Sequence, residues 1–332
     1  MPFSEVYGHA RPLGLLARTL GRGALPPSLL FCGPDGVGKR LVARLVAQSL
    51  NCLAAGGFDP CGACPACRRI AAGTHPDVLV EEPGDTGVIK IEPVRALVAA
   101  AAYRPFEGRR RVIVIDDAHG LTTDAQDALL KSLEEPGPST VFILVTSKPE
   151  TLLPTVRSRC ARLLFGRLSA EEVAKALVER RHFEAEEAHA IAAVADGSLG
   201  RALEAGTEGY LEARSAALTA LEAAAAGASP KARLRAAAEL LTGKASSAAE
   251  RESLAARVTA IGSLLRDMAL VSEGGGAGEI ANGDLAAEIA QMAPAFGLDR
   301  LLAGYAATGR ALRAIGRNAN VKVVAAWLAV NL

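Results

Sequence analysis

Two hydrophobic rhythms divide the chain. Up to about residue 165, continuous apolar runs at Leu29 to Cys32, Val78 to Glu81, Val112 to Asp116, Val141 to Thr146 and Arg162 to Phe165 alternate with longer stretches of helical spacing. Continuous runs suit strands buried on both faces, so the pattern predicts a parallel sheet covered by helices and built from strand-helix-strand units. Thr123-Asp124-Ala125-Gln126 reads as a capping box opening a helix through Glu135. After Phe165 the strand signal stops. Ser169-Ala170-Glu171-Glu172 caps a helix carrying Val173 and Leu177, a second helix follows through Ala195, and Asp196-Gly197-Ser198 breaks it. From about 209 onward the spacing is helical throughout, with Leu254, Val258, Ile261, Leu265 and Met268 in one stripe and Leu301, Tyr305, Thr308, Leu312 and Ile315 in another. Gly227 to Pro230 and Gly274-Gly275-Gly276 mark loops. The expected organisation is an α/β domain over 1–165, a small helical domain over 166–208 and a larger helical domain over 209–332.

Composition adjusts this picture in three places. With 332 residues the chain exceeds what one core usually serves, and 50% hydrophobic but only 4% aromatic content favours helices packed through small side chains. A net charge of +1 supplies no global field for nucleic acid, so any DNA contact is expected to be local or shared with other subunits. No apolar run reaches the roughly 20 residues of a membrane span and no secretory leader opens the chain, so a cytoplasmic location is expected.

Of six cysteines, Cys52, Cys61, Cys64 and Cys67 share one short polar loop. Their C-x8-C-x2-C-x2-C spacing suits a closed tetrahedral Zn²⁺ site with a structural role. An iron-sulfur cluster fits the thiolates as well, but the chain has no redox partner motif. Cys32 and Cys160 read as small core residues.

Gly33-Pro34-Asp35-Gly36-Val37-Gly38-Lys39 follows a strand and opens a helix. In that context Gly33, Gly36 and Gly38 allow backbone N–H groups to close around phosphate oxygens, and Lys39 reaches the β and γ phosphates of a nucleotide. The next residue, where Mg²⁺ chemistry wants a hydroxyl, is Arg40. A second strand ends in Asp116-Asp117; Asp116 is placed to hold Mg²⁺ and Asp117 stands where a longer Glu would polarise water. A side chain shortened by one methylene falls back by roughly 1 Å, a displacement that costs about 10²-fold in rate. ATP binding therefore stays open, and self-hydrolysis is expected to be weak. His75-Pro76-Asp77 reads as a turn into a strand, and Arg109-Arg110-Arg111 as a solvated strand entrance. Arg157 and Arg159, taken alone, read as cations complementing a helix C-terminus.

In their order, these pieces resemble the AAA+ clamp-loader subunits of bacterial DNA polymerase III. The matching elements are Gly33 to Lys39, the four-cysteine insert, His75-Pro76-Asp77, Val112 to Asp117, Ala128-Leu129-Leu130-Lys131-Ser132-Leu133-Glu134-Glu135-Pro136, and Leu152-Leu153-Pro154-Thr155 running into Ser158-Arg159-Cys160. Asn318-Ala319-Asn320 before a last apolar helix looks like the end of the family's oligomerisation domain. The resemblance implies an AAA+ P-loop module with a zinc insert at 52–67, a helical lid over 166–208 and an all-α collar over 209–332. It makes Arg159 a trans-acting arginine finger, Ser147 a first sensor and Arg201 a second sensor on the lid. It implies as partners the motor (gamma/tau) and delta subunits, the sliding clamp and primer-template DNA. Arg40 and Asp117 favour the stator-like member, which contributes no chemistry of its own. Two other readings stand beside it: an active ATPase of the gamma/tau type, and a zinc-containing nucleic-acid-binding AAA+ protein outside replication.

Overall fold

The structure is a computed structural model that describes residues 2–54, 58–84, 86–195, 197–205, 207–226, 229, 240–241, 248–275, 280–317 and 319–332. The chain divides into two compact units, Met1–Ser169 with Ser198–Gly200, and Ala170–Gly197 with Arg201–Leu332.

In the first unit the five apolar runs form the strands β1 (Ser28–Cys32), β2 (Val78–Glu81), β3 (Arg111–Ile115), β4 (Thr140–Thr146) and β5 (Ala161–Leu164). They pair in the order β2-β3-β4-β1-β5, and every pairing is parallel. Every residue of β1, β3 and β4 is buried, which explains why these runs show no polar alternation. Side chains instead alternate between two apolar layers. Leu29, Phe31, Val112, Val114, Ile143 and Val145 pack against α1 (Ala10–Gly21), α2 (Lys39–Asn51) and α3 (Pro65–Ala71) through Leu16, Val42, Val46 and Ile70. Leu30, Ile113, Ile115, Phe142 and Leu144 face α4 (Ile91–Ala101), α5 (Thr123–Glu134) and α6 (Pro154–Arg159) through Val94, Leu97, Leu129 and Val156. Cys32 and Cys160 belong to this second layer as expected.

Two local readings are corrected. The cap of α5 is Thr122, whose hydroxyl accepts from the Ala125 N–H at 3.3 Å. No capping box closes around Gln126, because its side chain has tertiary partners: it donates to Leu121 O at 3.2 Å and accepts from Leu153 N–H at 2.7 Å. Arg111 is not a solvated strand entrance. It is buried, and its Nη2 pairs with the fully buried Asp77 at 2.9 Å.

Asp77 ends the turn expected at 75–77, where Val78 N–H returns to His75 O. Its carboxylate accepts from the N–H groups of Phe106, Glu107 and Gly108 at 2.7, 2.9 and 2.8 Å, so one buried acid holds together the entrances to β2 and β3. Burial alone would push this carboxyl up. The Glu107, Gly108 and Phe106 donors and the Arg111 guanidinium outweigh burial and hold it down to about 2.

In the second unit α7 (Ala170–Arg181) and α8 (Ala185–Val194) bury Val173, Leu177 and Ile191. After α9 (Leu199–Ala205), which enters this unit at Arg201, come α10 (Thr207–Ala225), α11 (Ala248–Ser272), α12 (Ala286–Met292), α13 (Leu298–Gly316) and α14 (Val321–Asn331). The first helical stripe is buried as expected, from Leu254 through Met268. The second is shifted, since Tyr305 is 51% exposed while Leu301, Ala307, Thr308, Ala311 and Ile315 are buried. A Cβ on Gly304 would stand 3.2 Å from Leu265 Cδ1, so the close α11–α13 contact runs over small residues and turns Tyr305 outward. Asn320 caps α14 by accepting from the N–H groups of Lys322 and Val323. Among the loops expected, Gly274 and Gly275 follow α11, whereas 227–228, 230 and 276 lie outside the described residues, as do Asp196 and Asn318. Among the described residues no helix is long and apolar enough to cross a membrane.

Replacing Asp77 by Asn should cost about 3 kcal/mol at pH 7, the range for breaking a buried charge pair. Because the folded carboxyl sits below its unfolded value of about 3.9, the contribution is complete above that value and disappears as pH falls toward 2. Denaturant unfolding of wild type and D77N across this window should show the gap closing on acidification.

Candidate functional site

A parallel sheet delivers the carboxyl ends of all its strands to one edge, and ligands of open α/β folds bind there. Along this edge stand Gly33 after β1, Glu82 after β2, Asp116 after β3 and Ser147 after β4. The glycine at 33 answers to a steric demand. A Cβ there would lie 2.2 Å from the carbonyl oxygen of Phe165, whose own N–H donates to Cys32 O at 2.8 Å. Gly38, at φ 104°, is the left-handed residue from which α2 starts. His9, which the sequence reading passed over, braces this loop: its Nε2 lies 2.7 Å from Val37 O and its ring meets Phe165 edge-on at 5.0 Å.

Lys39 is buried on the first turn of α2, and its ammonium donates to Gly33 O at 2.7 Å and Pro34 O at 2.6 Å. The loop is closed on its own lysine, so an arriving phosphate would compete with these two carbonyls. Burial lowers the Lys39 pKa, with Asp35, Asp116 and Asp117 opposing. Arg40 points to the acidic side of the edge, its Nη1 lying 2.5 Å from Glu82 Oε2 and 3.3 Å from Asp116 Oδ2. Burial raises the Asp116 pKa, with the Arg40 charge acting against it. Asp117 sits in a left-handed conformation at φ 44° with its carboxylate half exposed, and its N–H donates to Asp116 Oδ1 at 3.1 Å. Ser147 Oγ is buried without a hydrogen-bond partner. The glycine loop, Lys39, Asp116 and Ser147 thus share one edge. Arg201 stands on α9 in the second unit.

The loop fits a nucleotide phosphate, with glycines at 33, 36 and 38 in positive φ at a helix start. The acidic side does not fit Mg²⁺ in the usual way, because the hydroxyl position holds an arginine that is already paired with the acid meant for the metal.

Elsewhere in the same unit, the Sγ atoms of Cys52, Cys61, Cys64 and Cys67 all lie within 4.8 Å of one another. Zn–S bonds of about 2.3 Å place sulfurs roughly 3.8 Å apart in a tetrahedron, so small side-chain adjustments would close a metal site. Backbone N–H groups already point at the sulfurs, from Cys61 to Cys52 Sγ at 3.5 Å, from Cys64 to Cys61 Sγ at 3.3 Å and from Cys67 to Cys64 Sγ at 3.4 Å. Donation from Cys64 and Ala63 pulls the Cys61 thiol below its ordinary value, which favours the thiolate. Gln48 on α2 fixes the insert by donating to Cys67 O at 2.8 Å.

Arg159 closes α6 at the surface. Its Nε and Nη2 donate to Glu134 Oε2 at 3.1 and 2.9 Å, and its Nη1 donates to Thr155 O at 3.1 Å. Glu134 ends α5 and is exposed, so the guanidinium is held by a solvated carboxylate that a more strongly charged partner could displace. The hold of Glu134 on Arg159 was not legible beforehand, since the two are 25 residues apart.

Placing a methyl group at position 33 should unseat Phe165 from Cys32. Gly33→Ala is expected to lower the stability of the first unit by about 2 kcal/mol or more, measured by denaturant unfolding, whatever its effect on ligand binding.

Residues 8–169 match the family described as DNA polymerase III, delta subunit. Among curated relatives, the chain is 41% identical over 143 residues to the DNA polymerase III subunit delta' of Pseudomonas aeruginosa, covering 43% of this chain and 44% of that one. It is 35% identical over 170 residues to the delta' subunit of Bacillus subtilis, 51% of each chain. It is 37% identical over 178 residues to the gamma/tau subunit of Mycobacterium tuberculosis H37Rv, covering 54% of this chain and 31% of the relative. The chain thus spans between about a third and a half of the length of these relatives. Over the segment 8–169, which carries the phosphate loop, the four cysteines and Arg159, the chain is similar to the delta' and gamma/tau subunits of bacterial DNA polymerase III.

Proposed function

We propose that the chain acts as a delta-prime-type subunit of the DNA polymerase III clamp loader, helping to load the sliding clamp onto primed DNA with little or no ATP hydrolysis of its own. The observation that carries this reading is the occupation of Asp116 by Arg40 in place of a free metal-binding acid. In the proposal, 166–208 serve as a lid and 209–332 as a collar joining gamma/tau and delta subunits in a ring. Arg201 and Ser147 take the sensor positions around a weak or vestigial ATP site made of Gly33, Gly36, Gly38, Lys39 and Asp116.

Catalytic influence passes outward through Arg159. A permanently charged planar guanidinium can neutralise charge developing on a neighbour's γ-phosphate, and such fingers accelerate related reactions by about 10³ to 10⁵. The surface location of Arg159 and its replaceable Glu134 partner support this role. In a loader reconstituted with gamma/tau, delta and clamp, Arg159→Ala should leave assembly intact and depress DNA-stimulated ATPase by about 10²-fold or more at the site it serves. Unchanged turnover would discard the finger.

The gamma/tau reading has one observation in its favour, the match to gamma/tau relatives at an identity similar to that of the delta' relatives. Brisk Mg²⁺-dependent turnover by the isolated chain would select it.

For the cysteine insert we assign structural zinc. The metal would be held by Cys52, Cys61, Cys64 and Cys67 and would supply cross-linking of the insert, with no open position for chemistry. Purified chain should contain about one zinc ion, and Cys67→Ser should abolish it and lower the thermal midpoint, as should a strong chelator. Full stability in metal-free protein would reject the assignment.

A further inference from the structure

The phosphate-loop reading leaves one cation unexplained. Arg40 could have pointed to solvent from the first turn of α2, yet a single Nη1 reaches two carboxylates, Glu82 at 2.5 Å and Asp116 at 3.3 Å. The sheet makes this possible. β2 and β3 are adjacent and in register, with Glu81 opposite Ile115, so the residues that follow them, Glu82 and Asp116, leave the edge side by side. Asp117 adds a third acid next to them. Such an oxygen-rich cluster at the end of a strand is the kind of place a hard divalent cation enters.

Stability does not account for the contact with Glu82. The side chains of Arg40 and Glu82 are 60% and 55% exposed, and exposed pairs of this kind contribute little to folding. What the arrangement does change is the charge of the acidic side. Guanidinium does not deprotonate in proteins, it is tethered to the helix that carries the phosphate loop, and it lies against the acid that a metal would need.

We propose that Arg40 is the resident counter-cation of this edge, taking the place of a divalent metal between Asp116 and Glu82, so that anion binding at the loop is independent of magnesium. The inference deepens the phosphate-loop reading but its metal half rests on the Arg40 contacts alone. Lys39 and Arg40 then act as consecutive cations with separate tasks. Lys39 serves the loop, and Arg40 pairs with Glu82 and Asp116.

The test uses the full chain, its Arg40→Ser variant and the double variant Arg40→Ser/Asp116→Asn, with circular dichroism to check folding. Mn²⁺ serves as the paramagnetic probe of the metal site. Free Mn²⁺ measured by electron paramagnetic resonance should show Arg40→Ser binding the ion at least tenfold more tightly than wild type, and the double variant losing that gain. Equal affinity in wild type and Arg40→Ser, including no binding in either, overturns the inference. A fluorescent ADP analogue supplies the second arm. Wild type should bind it with affinities within twofold in EDTA and in Mg²⁺, whereas Arg40→Ser should gain at least tenfold from Mg²⁺. A tenfold Mg²⁺ dependence in wild type overturns the inference. Failure of both proteins to bind the ADP analogue would reject the phosphate-loop reading instead, while the Mn²⁺ measurement would still decide the role of Arg40.

Discussion

Parallel pairing forces every strand to leave the sheet on the same side, and this constraint organises the candidate chemistry of the first unit. Gly33, Glu82, Asp116 and Ser147 come from separate strand ends and share one edge because β2, β3, β4 and β1 are held in register. The register in turn depends on two fully apolar layers and on a few buried polar anchors. Asp77 is the clearest of these. One carboxylate collects three backbone donors and the Arg111 guanidinium, fixing where β2 and β3 begin and therefore where Glu82 and Asp116 end up.

Both cations at that edge have partners within the chain. Lys39 is turned toward the carbonyls of its own loop, and Arg40 toward the acids of the neighbouring strands. A P-loop module that works as a hydrolase leaves its acid for a metal and its lysine for phosphate. Here Lys39 and Asp116 both have partners within the chain, which is the observation behind the proposed role. The arginine proposed as the finger, Arg159, ends α6 at the surface, held by the solvated Glu134 carboxylate and by Thr155 O.

The four-cysteine insert is local in a different sense. Its ligand atoms come from one short loop and the start of α3, its backbone donors point at its own sulfurs, and Gln48, Ser49 and Phe3 tie it to the rest of the unit. The insert, the phosphate loop and the Ser158-Arg159-Cys160 segment all lie within residues 8–169, the part of the chain that matches the DNA polymerase III delta subunit family.

Features decided over short stretches of chain were legible in the residues alone. The central strands β1, β3 and β4 are marked by continuous apolar runs because parallel strands covered on both faces have no polar side to show, and the partly exposed edge strands β2 and β5 keep apolar runs as well. The glycine loop and the cysteine spacing are equally local, since their groups meet within a few residues of one another. Misjudged features involve competition between local and distant partners. Gln126 abandons a capping box for Leu153, Arg111 abandons solvent for Asp77, and Tyr305 is turned outward because Gly304 lets α13 approach Leu265. Sequence by itself determined the parallel α/β module, its phosphate loop and its thiol cluster. Only the tertiary structure decided that Arg40 rests on Asp116 and Glu82 and that Arg159 rests on Glu134, because a long cationic side chain is placed by whichever acids the fold brings within its reach, and no spacing along the chain encodes that.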